Sequence, residues 1–151
     1  MNGRESSRLN DLFFLCSLIE YIGRKTKNER KVVVNALGRE GLKHYYDLAE
    51  VYHSENMDKV VCEIVEKYGI SEGNYDNVSV ATEYMPTHWD IGKVMQRLIY
   101  KVAKQSKKGI VDTLIKVYNS WIIPKIDDYS SSMYYENTSY QYASYRAGRA
   151  L

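Results

Sequence analysis

The sequence predicts a mainly α-helical protein, a single-domain bundle of about six helices that ends in a tyrosine-rich C-terminal tail. Three observations carry that reading. Apolar residues recur at the i, i+3, i+4 spacing of a buried helix face along most of the chain. Threonine and an acidic residue stand three apart where two of those stripes begin, and glycines stand where others end. With 151 residues, 44% apolar and 26% charged, the chain has the composition of one globular domain that buries its core without metal or disulfide staples.

Leu9, Leu12, Phe13, Cys16, Ile19 and Ile22 follow a helical spacing, and Phe14, Leu15 and Leu18 widen the stripe, so the first helix is expected to lie central in the core. Thr26 and Glu29 have the spacing of a capping box, in which each side chain satisfies a free backbone donor at a helix start. Gly38 suits a left-handed stop, so a short second helix is predicted from Lys27 to Leu37. Between Glu40 and His53, the residues Leu42, Tyr45, Tyr46, Leu48, Ala49 and Tyr52 repeat at helical spacing. Val60, Val61, Ile64, Val65 and Tyr68 do so in the next helix, and Gly69 closes a four-helix half over 7–69. Residues 70–86 are polar and turn-rich, with Gly73, Asn74, Asp76 and Asn77, and read as a loop with room for one short strand.

A two-helix half spans 87–124. Thr87 and Asp90 repeat the capping spacing directly after Pro86, and Ile91, Val94, Met95, Leu98 and Val102 form a clean stripe, predicting a helix from His88 to Gln105 with Trp89 also packed inward. Ile110 to Ile122 is apolar on most of its circumference and is expected to be buried, with Pro124 ending or kinking it. The tail, 125–151, holds Tyr129, Tyr134, Tyr135, Tyr140, Tyr142 and Tyr145 among Ser, Asn and Thr. Such rings bring large contact area at little entropic cost, so the tail either wraps its own core or serves as a contact surface.

A formal charge of +2, from 21 basic and 19 acidic side chains, gives no global field that argues for nucleic acid or membrane. Cys16 and Cys62 sit in apolar helical patterns and are expected to be buried free thiols. The stretch Met1 to Leu9 is polar and charged, with no secretory apolar region. The longest apolar stretches, broken by Glu20, Arg24 and Lys25 or by Lys116 and Asn119, fall short of the roughly 20 residues of a membrane span. A soluble, cytoplasmic protein is expected.

No catalytic motif stands out. Arg39 and His44, with four residues between them, fit the loose spacing of small helical ribonucleases, but an exposed helix start with a surface histidine explains them as well. His44, His53, His88 and the two cysteines show no CxxC or HxxxH pairing, so no metal is expected, and no phosphate loop, nucleophile elbow or dinucleotide fingerprint implies a cofactor. Asp127, Asp128, Glu20, Glu50 and Asp90 read as solvated or capping carboxylates. The segment Lys93 to Lys108 contains no acidic residue, and Lys93, Arg97, Lys101 and Lys104 line one side of its helix as a candidate anion or nucleic-acid patch, or as an ordinary solvated face.

The stretch Leu12-Phe13-Phe14-Leu15-Cys16, then Ile19-Glu20-Tyr21, Thr26, Leu37, Tyr45, Leu48-Ala49 and Tyr52-His53, resembles a family of small uncharacterised bacterial proteins. Pro86 to Lys93 and Lys125 to Tyr129 extend the likeness to a related group of similar length. These proteins are encoded beside ADP-ribosylating toxin-like proteins, and the resemblance implies an antitoxin-like or accessory partner with no catalytic residue.

The leading expectation is therefore a non-enzymatic protein-interaction module whose anchors are Trp89, Tyr134, Tyr135, Tyr140 and Tyr142. The alternatives are a nucleic-acid-binding or RNA-cleaving protein that uses the basic stripe, and a self-associating structural domain. The stripe at 91–102 yields a first prediction: Leu98→Ala should cost about 2–5 kcal/mol in a denaturant melt, as large-to-small core changes do. A cost near zero would put this face at the surface.

Overall fold

A computed structural model of the chain describes residues 3–77 and 85–151. Among them it holds eight α-helices and no strand: α1 Gly3–Thr26, α2 Arg30–Asp47, α3 Ala49–Tyr52, α4 Met57–Tyr68, α5 His88–Ser106, α6 Ile110–Tyr118, α7 Ile122–Asp127 and α8 Thr138–Ala147. A 3₁₀ turn, Met133–Tyr135, joins α7 to α8. The mainly α bundle is as expected. Residues 70–77 form no strand, and the rest of that loop up to 84 lies outside the described residues. No described helix is long and apolar enough to cross a membrane.

The wide stripe of α1 makes it the central helix. Leu12, Phe14, Leu15, Cys16, Leu18, Ile19 and Ile22 are all buried, and the helix packs on α5 and α2 and touches α3 and α4. Its contact with α5 is close: a Cβ on Gly92 would sit 2.1 Å from Ser17 Oγ and 3.0 Å from Ser17 Cα, so any larger residue there would push the two helices apart. α5 begins as predicted. Thr87 Oγ1 accepts from the Asp90 amide at 3.1 Å and Asp90 Oδ2 accepts from the Thr87 amide at 2.9 Å, a complete capping box. Arg24 of α1 donates to the Pro86 carbonyl just ahead of it.

Several boundaries differ from expectation. Thr26 and Glu29 form no capping box. Thr26 is the last residue of α1 and is buried, its hydroxyl donates back to the Ile22 carbonyl at 2.7 Å, and its own carbonyl accepts from Gly73 of the 70–77 loop at 2.8 Å. α2 starts at Arg30, with Glu29 as an N-cap that makes no side-chain bond. Gly38 does break the helix, at φ 69 and ψ 179, and helical turns resume beyond it to Asp47, where Leu48 (φ −107, ψ 23) cuts off the short α3. Gly69 closes α4 in the left-handed conformation, as expected.

α6 stops at Tyr118 rather than Ile122, because Asn119 and Ser120 turn their side chains back onto the Ile115 and Val117 carbonyls. Pro124 does not end it. It sits in the first turn of α7, where a missing N–H costs nothing. Of the two readings of 125–151, the segment wraps its own core: Tyr129 and Met133 join it, Gln141 and Ser144 are buried on α8, and α8 packs on α5. Cys16 is buried, whereas Cys62 faces solvent on the outer side of α4.

A polar cluster lies inside the bundle. Glu20 and Arg30 are each 1% exposed and joined by Nε to Oε1 at 3.0 Å. Tyr118 of α6 donates to the other Glu20 oxygen at 2.9 Å, and Arg30 Nη1 donates to the Asn28 carbonyl at 2.9 Å. Asp127, at the end of α7, is 3% exposed, and its backbone carbonyl accepts from Asn77 at 2.9 Å. The solvated or capping role expected of Glu20 and Asp127 is thus corrected. Gly23 makes room for the cluster, since a Cβ there would lie 2.4 Å from Arg30 Cδ. Burial pushes the Tyr118 hydroxyl and the Cys16 thiol well above their ordinary values, keeping both protonated.

Burial, reinforced by the charge of Glu20 and opposed by Arg30, pushes the Asp127 carboxyl from its ordinary 3.8 up to about 8. Across that interval the folded chain holds a proton that the unfolded chain has released, so stability is fully present below about pH 4 and falls as pH rises toward 8. Asp127→Asn removes this dependence. The melting temperature of the variant relative to the parent should therefore climb steadily between pH 5 and pH 8. A difference that stays constant over that range would show that Asp127 titrates normally.

Candidate functional site

At 100° per residue, Trp89, Lys93, Arg97, Tyr100, Lys101 and Lys104 fall within a sector of about 120° on α5, which extends about 22 Å from Trp89 to Lys104. The opposite side carries the buried Ile91, Met95, Leu98, Ile99 and Val102. Trp89 does not pack inward as expected: it lies about 140° from the centre of that buried arc. It is 42% exposed, with its ring 5.6 Å from Phe13 of α1 and 4.8 Å from His88. His88 in turn lies 4.6 Å from Tyr21. Burial, with Arg24 nearby, holds the His88 imidazole below its ordinary value, so this ring is neutral at neutral pH. Val94, toward the edge of the arc, is half-buried.

Three of the four cations of the basic stripe stand over rings rather than beside carboxylates. Lys93 Nζ stands 4.4 Å over the Phe13 ring, Lys101 Nζ 5.5 Å over Tyr142 and Lys104 Nζ 5.9 Å over Tyr100. Desolvation and the neighbouring Arg97 lower the Lys93 ammonium from its ordinary value. Among the described residues no ion pair engages Lys93, Arg97, Lys101 or Lys104. Cation–π contacts fix the direction of these side chains without cancelling their charge.

Of the predicted tyrosine anchors, Tyr142 joins this face. Its hydroxyl accepts from Arg146 Nη1 at 2.9 Å while Lys101 stands over its ring. The others secure the C-terminal segment. Tyr134 stacks edge-on with Tyr129 and Tyr135, the Tyr135 hydroxyl donates to the Tyr129 carbonyl at 2.9 Å, and the Tyr140 hydroxyl donates to the Leu151 carbonyl. Tyr135 is half exposed even so.

Arg39 and His44 are committed to different partners: Arg39 Nε pairs with Asp112 of α6 at 2.8 Å, and His44 Nε2 meets the Tyr52 hydroxyl at 3.1 Å. No group of three or more His, Cys, Asp or Glu side chains that could hold a metal occurs among the described residues.

Sequence reasoning missed a cleft. Next to the C-terminal half of the α5 face, a depression of about 610 Å³ opens between α5, α6 and α8, bordered by Lys108, Asp112, Lys116, Tyr142, Tyr145 and Arg146. Its third wall, α8, had a signal in the sequence, since Asn137 caps the helix start by accepting from the Tyr140 amide and Gly148 ends it in the left-handed conformation. The Arg30 cluster borders only a small cavity of about 90 Å³, well below the usual size of a ligand site. No family model, curated protein or solved structure matches the chain.

Proposed function

We propose that the protein is a non-enzymatic interaction module that presents the outer face of α5 to an acidic surface of a protein partner. The observation that carries this reading is a half-exposed Trp89 in line with four cations that no carboxylate among the described residues pairs with. Tryptophan and arginine dominate interface energetics when a partner closes over them, and clustered like charges speed and orient the encounter. Phe13 beside Trp89 gives it an apolar neighbour that a protein surface can cover together with it. The narrower form of the proposal follows the resemblance: an antitoxin-like or accessory component of a bacterial cytoplasm, with a toxin-like protein as partner.

A second reading, nucleic-acid binding, is favoured by the alternation of cations with Tyr100 and Tyr142, since bases stack on such rings while phosphates meet the cations. Self-association is the third.

The test is co-purification of the tagged native chain after nuclease treatment, followed by affinity measurement with the recovered partner. Trp89→Ala should weaken that complex by about 30-fold or more, as loss of a hot-spot anchor does. Lys93→Glu, Arg97→Glu and Lys101→Glu combined should abolish it. A complex indifferent to both changes would remove this face as the docking surface. Dissolution by nuclease, together with sub-micromolar, salt-sensitive RNA or DNA binding, would put the second reading first.

A further inference from the structure

We propose that the cleft between α5, α6 and α8 is a binding site for a small phosphorylated ligand. This goes beyond the docking face on α5, since it concerns a concave site beside that face and an occupant of different size. The cleft measures about 610 Å³, within the 300–1,000 Å³ usual for small-molecule sites.

Its charge is one-sided for a reason visible in the structure. Lys108 of the α5–α6 connection, Lys116 of α6 and Arg146 of α8 line it, and no ion pair among the described residues engages any of them. The one carboxylate on the lining, Asp112, is held outside this balance by Arg39 of α2, Nε to Oδ1 at 2.8 Å. Arg39 therefore serves the cleft indirectly, by masking the charge that would repel an anion. Lys101 adds to the field from the α5 side, where its Nζ stands over Tyr142.

Three cations lining one cleft suit a ligand with several negative charges close together. A single carboxylate would leave two of them unmatched, whereas a triphosphate presents one charged group to each. Val102 and the half-buried Tyr145 form the apolar part of the lining, against which the organic portion of such a ligand can rest.

The experiment is isothermal titration of the full chain at about 0.15 M salt with three probes: inorganic triphosphate, ATP and adenosine. Triphosphate and ATP should bind with Kd below about 1 mM, and adenosine should not bind measurably. ATP tighter than triphosphate would mean that a nucleoside ring is also recognised, and equal affinities that phosphate alone is. Lys116→Glu and Arg146→Glu, both at exposed positions that leave the core untouched, should each weaken binding by about tenfold or more. Asp112→Asn, which leaves the Arg39 charge uncompensated beside the cleft, should instead tighten it several-fold, an effect of opposite sign that loss of folding cannot mimic. The proposal is overturned if neither phosphate binds, if adenosine binds as well as ATP, or if charge reversal at Lys116 and Arg146 leaves the affinity unchanged.

Discussion

The Glu20–Arg30 pair is the constraint on which the rest of the structure depends. Two opposite charges, each almost wholly removed from water, are tolerated inside a helical core when their geometry is good and most of their remaining donors and acceptors are met. Here α1 supplies the carboxylate, α2 the guanidinium and α6 the Tyr118 hydroxyl that completes the second carboxylate oxygen, while the Asn28 carbonyl takes Arg30 Nη1 and Nη2 is left without a hydrogen-bond partner among the described residues. The neutral acid of Asp127 on α7 sits close enough for both charges to act on it. Any slip of α1 along α2 would strand a charge in the core. An apolar contact would tolerate such a slip, so the pair selects one arrangement of these helices over its neighbours in register. Gly23 is part of the same device, because the Arg30 side chain lies where a Cβ on α1 would otherwise be.

That fixed register reaches the surface through α1. α5 rests on α1 at the Ser17–Gly92 contact, Arg24 holds the entry to α5 at Pro86, and α8 rests on α5. The aromatic and basic face of α5 is thus set on a helix rather than a loop, and its side chains are aimed by rings from α1 and α8. Preorganisation of this kind reduces the ordering cost that a partner must overcome. The 610 Å³ cleft is built from the same three-helix corner, α5, α6 and α8, with α2 contributing through Arg39.

Features encoded locally were legible in the sequence. The wide stripe of α1, the capping box of Thr87 and Asp90, the left-handed stop at Gly69 and the buried arc of α5 all depend on residues within a few positions of one another. What was not legible depends on tertiary contacts. Glu20 and Asp127 look like ordinary helix-surface acids until Arg30 and Tyr118 close over them from other helices. Thr26 has the spacing of a cap, but the 70–77 loop claims its carbonyl and the end of α1 claims its hydroxyl. Trp89 is the exception: it needed no tertiary contact to be placed, since the angular arithmetic that puts Leu98 inside puts Trp89 on the opposite side. The tyrosines of 125–151 read either as a wrap on the core or as a contact surface, and the fold divides them between holding the C-terminus and lining the α5 face. The pairing of Arg39 with Asp112 joins residues far apart in the chain, and no spacing rule anticipates it.

The most direct test of the central claim is a double-mutant cycle in urea on Glu20 and Arg30. If the two buried charges depend on each other as argued, Glu20→Leu and Arg30→Met singly should each cost about 3–5 kcal/mol, because each leaves a buried charge uncompensated. The double variant should recover most of that loss, since an apolar pair leaves no charge stranded. Single variants that cost almost nothing, or a double variant whose cost equals the sum of the two, would contradict the account.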